Sequence, residues 1–228
     1  MEDIYISGDA VFLRSVQVLK QISVEDLLGS LQASAGLRTP MLPDGVIYYA
    51  AKNSKRLYVR CRKPGAVTLN WKLHKKDEAT LQSTVKLPWL YFFHTYTGHA
   101  FDELSVFGSP DRIEDTGETL CRLPVKNQGQ NCSICLGQDL KFSLGGRMSG
   151  KLARVEDHFW NSTFNSDLES NFFGSCPGWL TDAAKDDEDP FVTWERLSAD
   201  STFDPCRMEW VKYRKWGEIV DTILGGAK

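Results

Sequence analysis

Between residues 44 and 107 the chain is cut into short apolar runs by turn-forming pairs, and this spacing most constrains its fold. Asp44-Gly45 opens a run over 46–51, Asn53-Ser54 turns the chain, and a second run covers 57–61. Pro64-Gly65 precedes 67–73, where apolar and polar residues alternate. A dense run over 87–94 follows, holding Trp89, Leu90, Tyr91, Phe92 and Phe93. Thr97-Gly98 then turns the chain into 104–107. Short runs separated by Gly, Pro and Asn predict an antiparallel meander with hairpin turns. The run over 87–94 is apolar on both faces, which predicts a central strand rather than a binding face.

Helices are expected on either side of this block. A strand is expected over 10–19, and Ser23 then caps a helix, with Asp26 three residues on and an apolar face of Leu27, Leu28 and Leu31. That helix ends near Gly36, before Pro40. A second helix is expected over 151–160, burying Phe159 and Trp160. The acidic stretch 182–190 reads as a linker or exposed loop. Trp210, Tyr213, Trp216, Ile219, Val220 and Ile223 recur at helical spacing, which predicts a C-terminal amphipathic helix over 209–224. If Trp210 and Trp216 are exposed there, they suit a partner surface. Gly225-Gly226 reads as an ordinary helix cap rather than a modifier tail. The fold class is therefore α+β: an antiparallel β-meander with flanking helices plus a C-terminal amphipathic helix. Its expected organisation is 1–40, an N-terminal strand and helix; 41–180, a core; and 181–228, an acidic loop and C-terminal helix.

The 228 residues are 42% hydrophobic and 25% charged, enough for a core without disulfide staples. A net charge of −3 gives no broad cationic surface for nucleic acid. No apolar run approaches the roughly 20 residues of a membrane helix. The first residues lack the basic and apolar regions of a signal peptide, so the six cysteines are expected as reduced thiols in a cytoplasm.

Three cysteines fall close together, Cys121, Cys132 and Cys135. Cys135 lies in the apolar step Ile134-Cys135-Leu136, after a polar loop with Asn127 eight residues upstream. An accessible thiolate beside a carboxamide can act as nucleophile and oxyanion donor. A buried cysteine after an isoleucine is more often a small hydrophobe. Cys132 and Cys135 form a CxxC that could hold zinc with Cys121 and one of Cys176, Cys206 or His158. A lone CxxC is a weak zinc signal, and a redox pair would need a helix opening after a strand. His94 and His99 flank Gly98 and suit satisfied surface histidines better than a metal pair.

The order of elements, with Pro124, Asn127 and Ile134-Cys135-Leu136-Gly137, resembles the ubiquitin-conjugating (E2) fold. More closely the chain resembles the prokaryotic E2 family D, or PRTRC system protein B, type. The matching pieces are Leu87-Pro88-Trp89-Leu90-Tyr91-Phe92-Phe93, Leu104-Ser105-Val106-Phe107, Thr119-Leu120-Cys121-Arg122-Leu123-Pro124 and the late Phe159-Trp160-Asn161-Ser162-Thr163-Phe164. The resemblance implies that Cys135 carries a ubiquitin-like modifier as a thioester and that Asn127 polarises the thioester carbonyl. It implies an activating enzyme, a β-grasp modifier and a JAB-type metallopeptidase as partners, and no cofactor. Asp139 and His158 stand where a base could be, and both suit structural roles better. The chain departs from the family at three places: two residues separate Pro124 from Asn127, Leu123 replaces the histidine, and Cys132 stands where the family often has glycine. Those departures suit a second reading, a non-enzymatic interaction subunit on the same fold.

Overall fold

The computed structural model describes residues 42–72, 79–137, 146–165, 176–185 and 188–225, and the backbone of 3–7, 10–14 and 19–23. The chain divides into two compact units, Met1–Leu42 and Pro43–Lys228.

In the first unit β1 (Asp3–Ser7), β2 (Ala10–Arg14) and β3 (Leu19–Ser23) form an antiparallel sheet in that order. The register runs from Asp3↔Arg14 on one side of β2 to Arg14↔Leu19 on the other. The single strand expected over 10–19 is thus divided between β2 and β3. Ser23 is the last residue of β3, and the helix expected after it lies outside the described residues.

The second unit opens with a hairpin of β4 (Val46–Lys52) and β5 (Lys55–Arg62). Its tight turn places Asn53 at φ 56°, a left-handed conformation that asparagine tolerates. β6 (Gly65–Trp71) and β7 (Leu81–Leu87) pair with each other, and β8 (Trp89–Thr97) and β9 (Ala100–Ser109) form the long hairpin that turns at Gly98.

A sequential meander is not what these strands build. β8 pairs with β5, while β6 and β7 leave for a separate sheet. The crossings fall at Pro64 and Pro88, and proline has no N–H to give a ladder. Burial follows the same division. β6 and β7 bury alternate residues only, whereas every residue of β8 from Leu90 to Tyr96 is buried. The run over 87–94 is therefore two strands, and its second part is the expected central one.

β10 (Thr119–Cys121) and β12 (Lys212–Lys215) complete a six-stranded antiparallel sheet in the order β12-β10-β9-β8-β5-β4. β11 (Thr163–Phe164) joins β6 in parallel, giving the smaller sheet β11-β6-β7. Among the described residues the α-helices are α1 (Met148–Asn161), α2 (Gly178–Ala183), α3 (Pro190–Ala199) and α4 (Trp216–Gly225).

β8 separates two cores. Tyr91 and Phe93 pack with Leu57, Val59, Phe107 and, from α4, Trp216, Ile219 and Val220. Leu90 and Phe92 pack with Val155 and Phe159 of α1, the inner face of the smaller sheet, Phe191 and Trp194 of α3, and Trp210. Phe159 is buried as expected, and Trp160 is partly buried against the same core. The fold class α+β holds, with a curled antiparallel sheet and a few helices. No helix among the described residues is long and apolar enough to cross a membrane.

Three further expectations are corrected. The C-terminal helix starts at Trp216 rather than 209, because Lys212–Lys215 pairs with the open edge of β10. Trp210 and Trp216 are both buried, in different cores, so neither offers a partner surface. Nor is 182–190 a free linker. Asp189 caps α3 by accepting from the Phe191 N–H, and its other oxygen takes the Lys126 ammonium at 2.8 Å.

Candidate functional site

The segment from Arg122 to Gly137 lies along the edge of β9 beyond β10. Arg122 N–H donates to the Val211 carbonyl, and Leu123 and Val125 enter the core. The chain then folds back on itself. Gln128 bridges Ile134, and Gly129 N–H donates to the Ser133 carbonyl at 2.7 Å. The returning arm borrows the free edge of β9: Ile134 N–H donates to Leu104 (2.8 Å), and Val106 N–H donates to Cys132 (3.2 Å). The buried Gln128 amide donates to the Val106 carbonyl at 2.8 Å, which fixes the loop in register.

The turn between the arms places Cys132 at φ 63°. That backbone conformation costs a side chain energy and explains why glycine suits the position. Cys132 is fully buried, and burial pushes its thiol up to about 12. It is neither accessible nor ionised near neutrality, so it does not serve as a second thiol.

Cys135, three residues on, is exposed. Its N–H donates to the Asn127 carbonyl at 2.9 Å, which holds it at the mouth of the loop. It borders a cleft of about 330 Å³ whose lining includes Phe101, Asp102, Glu103 and Asn131. On the other side α1 braces the chain: His158 Nε2 donates to the Leu136 carbonyl at 2.7 Å. A carbonyl only accepts, so Nε2 carries the proton, and in a neutral ring Nδ1 is left as the acceptor.

Asn127 is 6% exposed. Its Nδ2 donates to the Thr163 carbonyl (3.3 Å), and its Oδ1 accepts from Asn165 N–H (3.0 Å). Its backbone thus holds Cys135 while its side chain holds the segment that follows α1. The neighbouring Lys126 is 3% exposed. Its ammonium reaches Asp189 (2.8 Å) and the Lys72 carbonyl (3.2 Å) and lies 4.8 Å from the centre of the Trp71 ring. The sequence reading missed this anchor, which pins the Cys135 loop to α3. Lysine in an apolar loop, read against the capping pair Asp189-Pro190, was the available signal.

The other candidates do not converge. Cys121 is buried in β10 with its thiol pushed up to about 11, and burial lifts Cys176 to about 12. Among the described residues no group of three or more His, Cys, Asp or Glu could hold a metal ion, and the six cysteines are free. Asp139 lies outside the described residues. His94 is no surface histidine. It is fully buried on β8, its Nε2 is 2.9 Å from Glu156 Oε1, and Arg60 lies 3.3 Å from the same oxygen.

Comparison with protein-family models, with curated proteins and with solved structures finds no match.

Proposed function

We propose that this protein is an E2-like conjugating enzyme of a prokaryotic ubiquitin-like pathway that carries its modifier on Cys135. The observation carrying this reading is the contrast within one loop: Cys135 is exposed at a cleft and held by Asn127, while Cys132 is buried with a raised pKa. A nucleophile needs access and a thiolate, and only Cys135 of this pair has access. The ubiquitin-conjugating type of fold, the activating enzyme, the β-grasp modifier, the JAB-type peptidase and a cytoplasmic setting all belong to this proposal.

Charging begins when the Cys135 thiolate attacks the modifier's C-terminal carbonyl, activated as an acyl adenylate. The thiol has first lost its proton to solvent, and the C–S bond forms as the C–O bond to the nucleotide breaks and the nucleotide leaves. An acceptor amine then attacks the thioester, the C–N bond forms, the amine loses a proton and Cys135 leaves as thiolate. Charge grows on the carbonyl oxygen in both steps, so fixed donors help most in the transition state. The Cys135 N–H is already bound to Asn127, and the Asn127 carboxamide is largely committed to Thr163 and Asn165. Asn127 is therefore a positioning residue that aims Cys135. That same commitment favours the second reading, an interaction subunit on which Cys135 carries nothing.

One measurement checks the access of Cys135 and a second separates the readings. In the native protein, Cys135 is expected to be alkylated well before Cys132 and Cys121, read by peptide mass. With activating enzyme, ATP and modifier, a thiol-cleavable adduct is expected that is lost in Cys135→Ala and becomes thiol-resistant in Cys135→Lys. No adduct, or an adduct that persists in Cys135→Ala, removes the enzymatic reading.

A further inference from the structure

At the opposite end of the β8–β9 hairpin from Cys135, a second cavity of about 580 Å³ opens between β4, β5, the start of β8 and the loop after β9. Its volume lies in the range of small-molecule sites. The walls are aromatic. Trp216 lines it and meets Tyr48 and Tyr91 edge-on, each at 5.5 Å between ring centres, and Trp89 lines it as well. Tyr91 also fixes the loop, since its hydroxyl accepts from the Ile113 N–H at 2.6 Å. The indole N–H of Trp216 is buried and has no acceptor among the described residues.

Two cations converge on this surface. Lys63 follows the half-buried Cys61 by two residues, and Arg112 lies close enough to Cys61 to favour its thiolate against burial. Lys63 and Arg112 are exposed, and neither forms an ion pair among the described residues. Glu114 and Asp115 also line the cavity, but Asp115 Oδ1 turns back to accept from the Gly117 N–H. Tyr48 and Trp89 keep part of their rings open beside two cations that form no ion pair among the described residues. This arrangement suits a flat ring whose charge an Arg and a Lys can meet.

We infer that this cavity binds a small aromatic anion, its ring against the half-buried Tyr48 and Trp89 and its carboxylate or phosphate at Arg112 and Lys63. The site stands apart from Cys135 and does not depend on the proposed thioester chemistry.

Calorimetry on the full chain tests it with four probes: 1-naphthoate, 1-naphthalenemethanol, cyclohexanecarboxylate and inorganic phosphate. Saturable one-to-one binding of naphthoate is expected. The three others lack either the ring or the charge and are expected to bind at least about tenfold more weakly, equivalent to about 1.4 kcal/mol. Arg112→Ala and Lys63→Ala, both at exposed positions, should each weaken naphthoate, and Glu114→Gln should strengthen it. Naphthoate should also slow alkylation of Cys61, read by peptide mass, and leave the rate at Cys135 unchanged. Absence of saturable naphthoate binding, equal binding of the neutral alcohol, or unprotected Cys61 would overturn the assignment.

Discussion

His94 shows how one buried side chain makes the fold sensitive to pH. It is fully enclosed on β8, and its Nδ1 has no partner among the described residues. Burial, the largest cause, lowers its pKa from 6.5. The hydrogen bond and charge of Glu156 oppose that shift, and Arg60 reinforces it. The folded state therefore keeps the ring neutral at a pH where the unfolded chain has already taken up a proton. This contribution is complete above 6.5 and declines as pH falls from 6.5 towards the lower folded value, by at most about 1.4 kcal/mol per pH unit. Urea denaturation at pH 7.5 and pH 5.5 checks it. The wild type should lose more stability on acidification than His94→Gln, and parallel losses would remove His94 from the account. The same scale decides the candidate site. The sequence singled out Cys135 by its place between Ile134 and Leu136, but not the burial that sets it apart from Cys132. What separates them is long-range pairing with Leu104 and Val106, which buries one and leaves the other at the edge.

At the scale of elements, the turns were legible because they are local. Gly98 adopts φ 61° in the β8–β9 turn, and the apolar stripe of α1 does bury Val155 and Phe159. The sheet partner of each strand was not legible. Pro64 reads as a turn and Pro88 as part of one strand, and a proline that reverses a strand looks in sequence like one that sends it to another sheet. Trp210, Tyr213 and Trp216 lie three apart, which fits a helix. The unpaired edge of β10 claims Lys212–Lys215 instead, and that edge is invisible from residues 209–224 alone. α3 was missed although Asp189-Pro190 is a strong helix start. Its cap is also the anchor of the Cys135 loop, so its removal has a calculable sign. Asp189→Ala loses the cap and leaves the Lys126 ammonium without its carboxylate in a largely buried place, which costs about 3–5 kcal/mol. Lys126→Met keeps the aliphatic stem and removes the charge, so it should cost clearly less. The double variant should lose less than the sum of the singles. Urea midpoints of the three variants measure this, and an Asp189→Ala loss below about 1 kcal/mol, the range of surface pairs, would show that the pair does not anchor the loop.

For the molecule as a whole, the division at Leu42 and Pro43 carries a consequence for folding. The six-stranded sheet has its two faces covered from within Pro43–Lys228: α4 packs on one side, and α1, α3 and the smaller sheet pack on the other. Residues beyond 181 belong to the same cores, since Phe191, Trp194 and Trp210 pack with β6, β7 and α1, and Trp216 packs with β8. A fragment that begins at Pro43 keeps this covering, whereas a fragment ending near 180 strips one face of the large sheet and much of the other core. The seven tryptophans lie between Trp71 and Trp216, so near-ultraviolet circular dichroism reports on this unit directly. The fragment 43–228 should keep the near-ultraviolet spectrum of the full chain and unfold in one cooperative transition. The fragment 1–180 should lose that spectrum and bind a hydrophobic dye, because exposed core faces behave that way. A native-like spectrum from 1–180, or a collapsed one from 43–228, would mean that the cores are closed by different parts of the chain than the packing of α3 and α4 indicates.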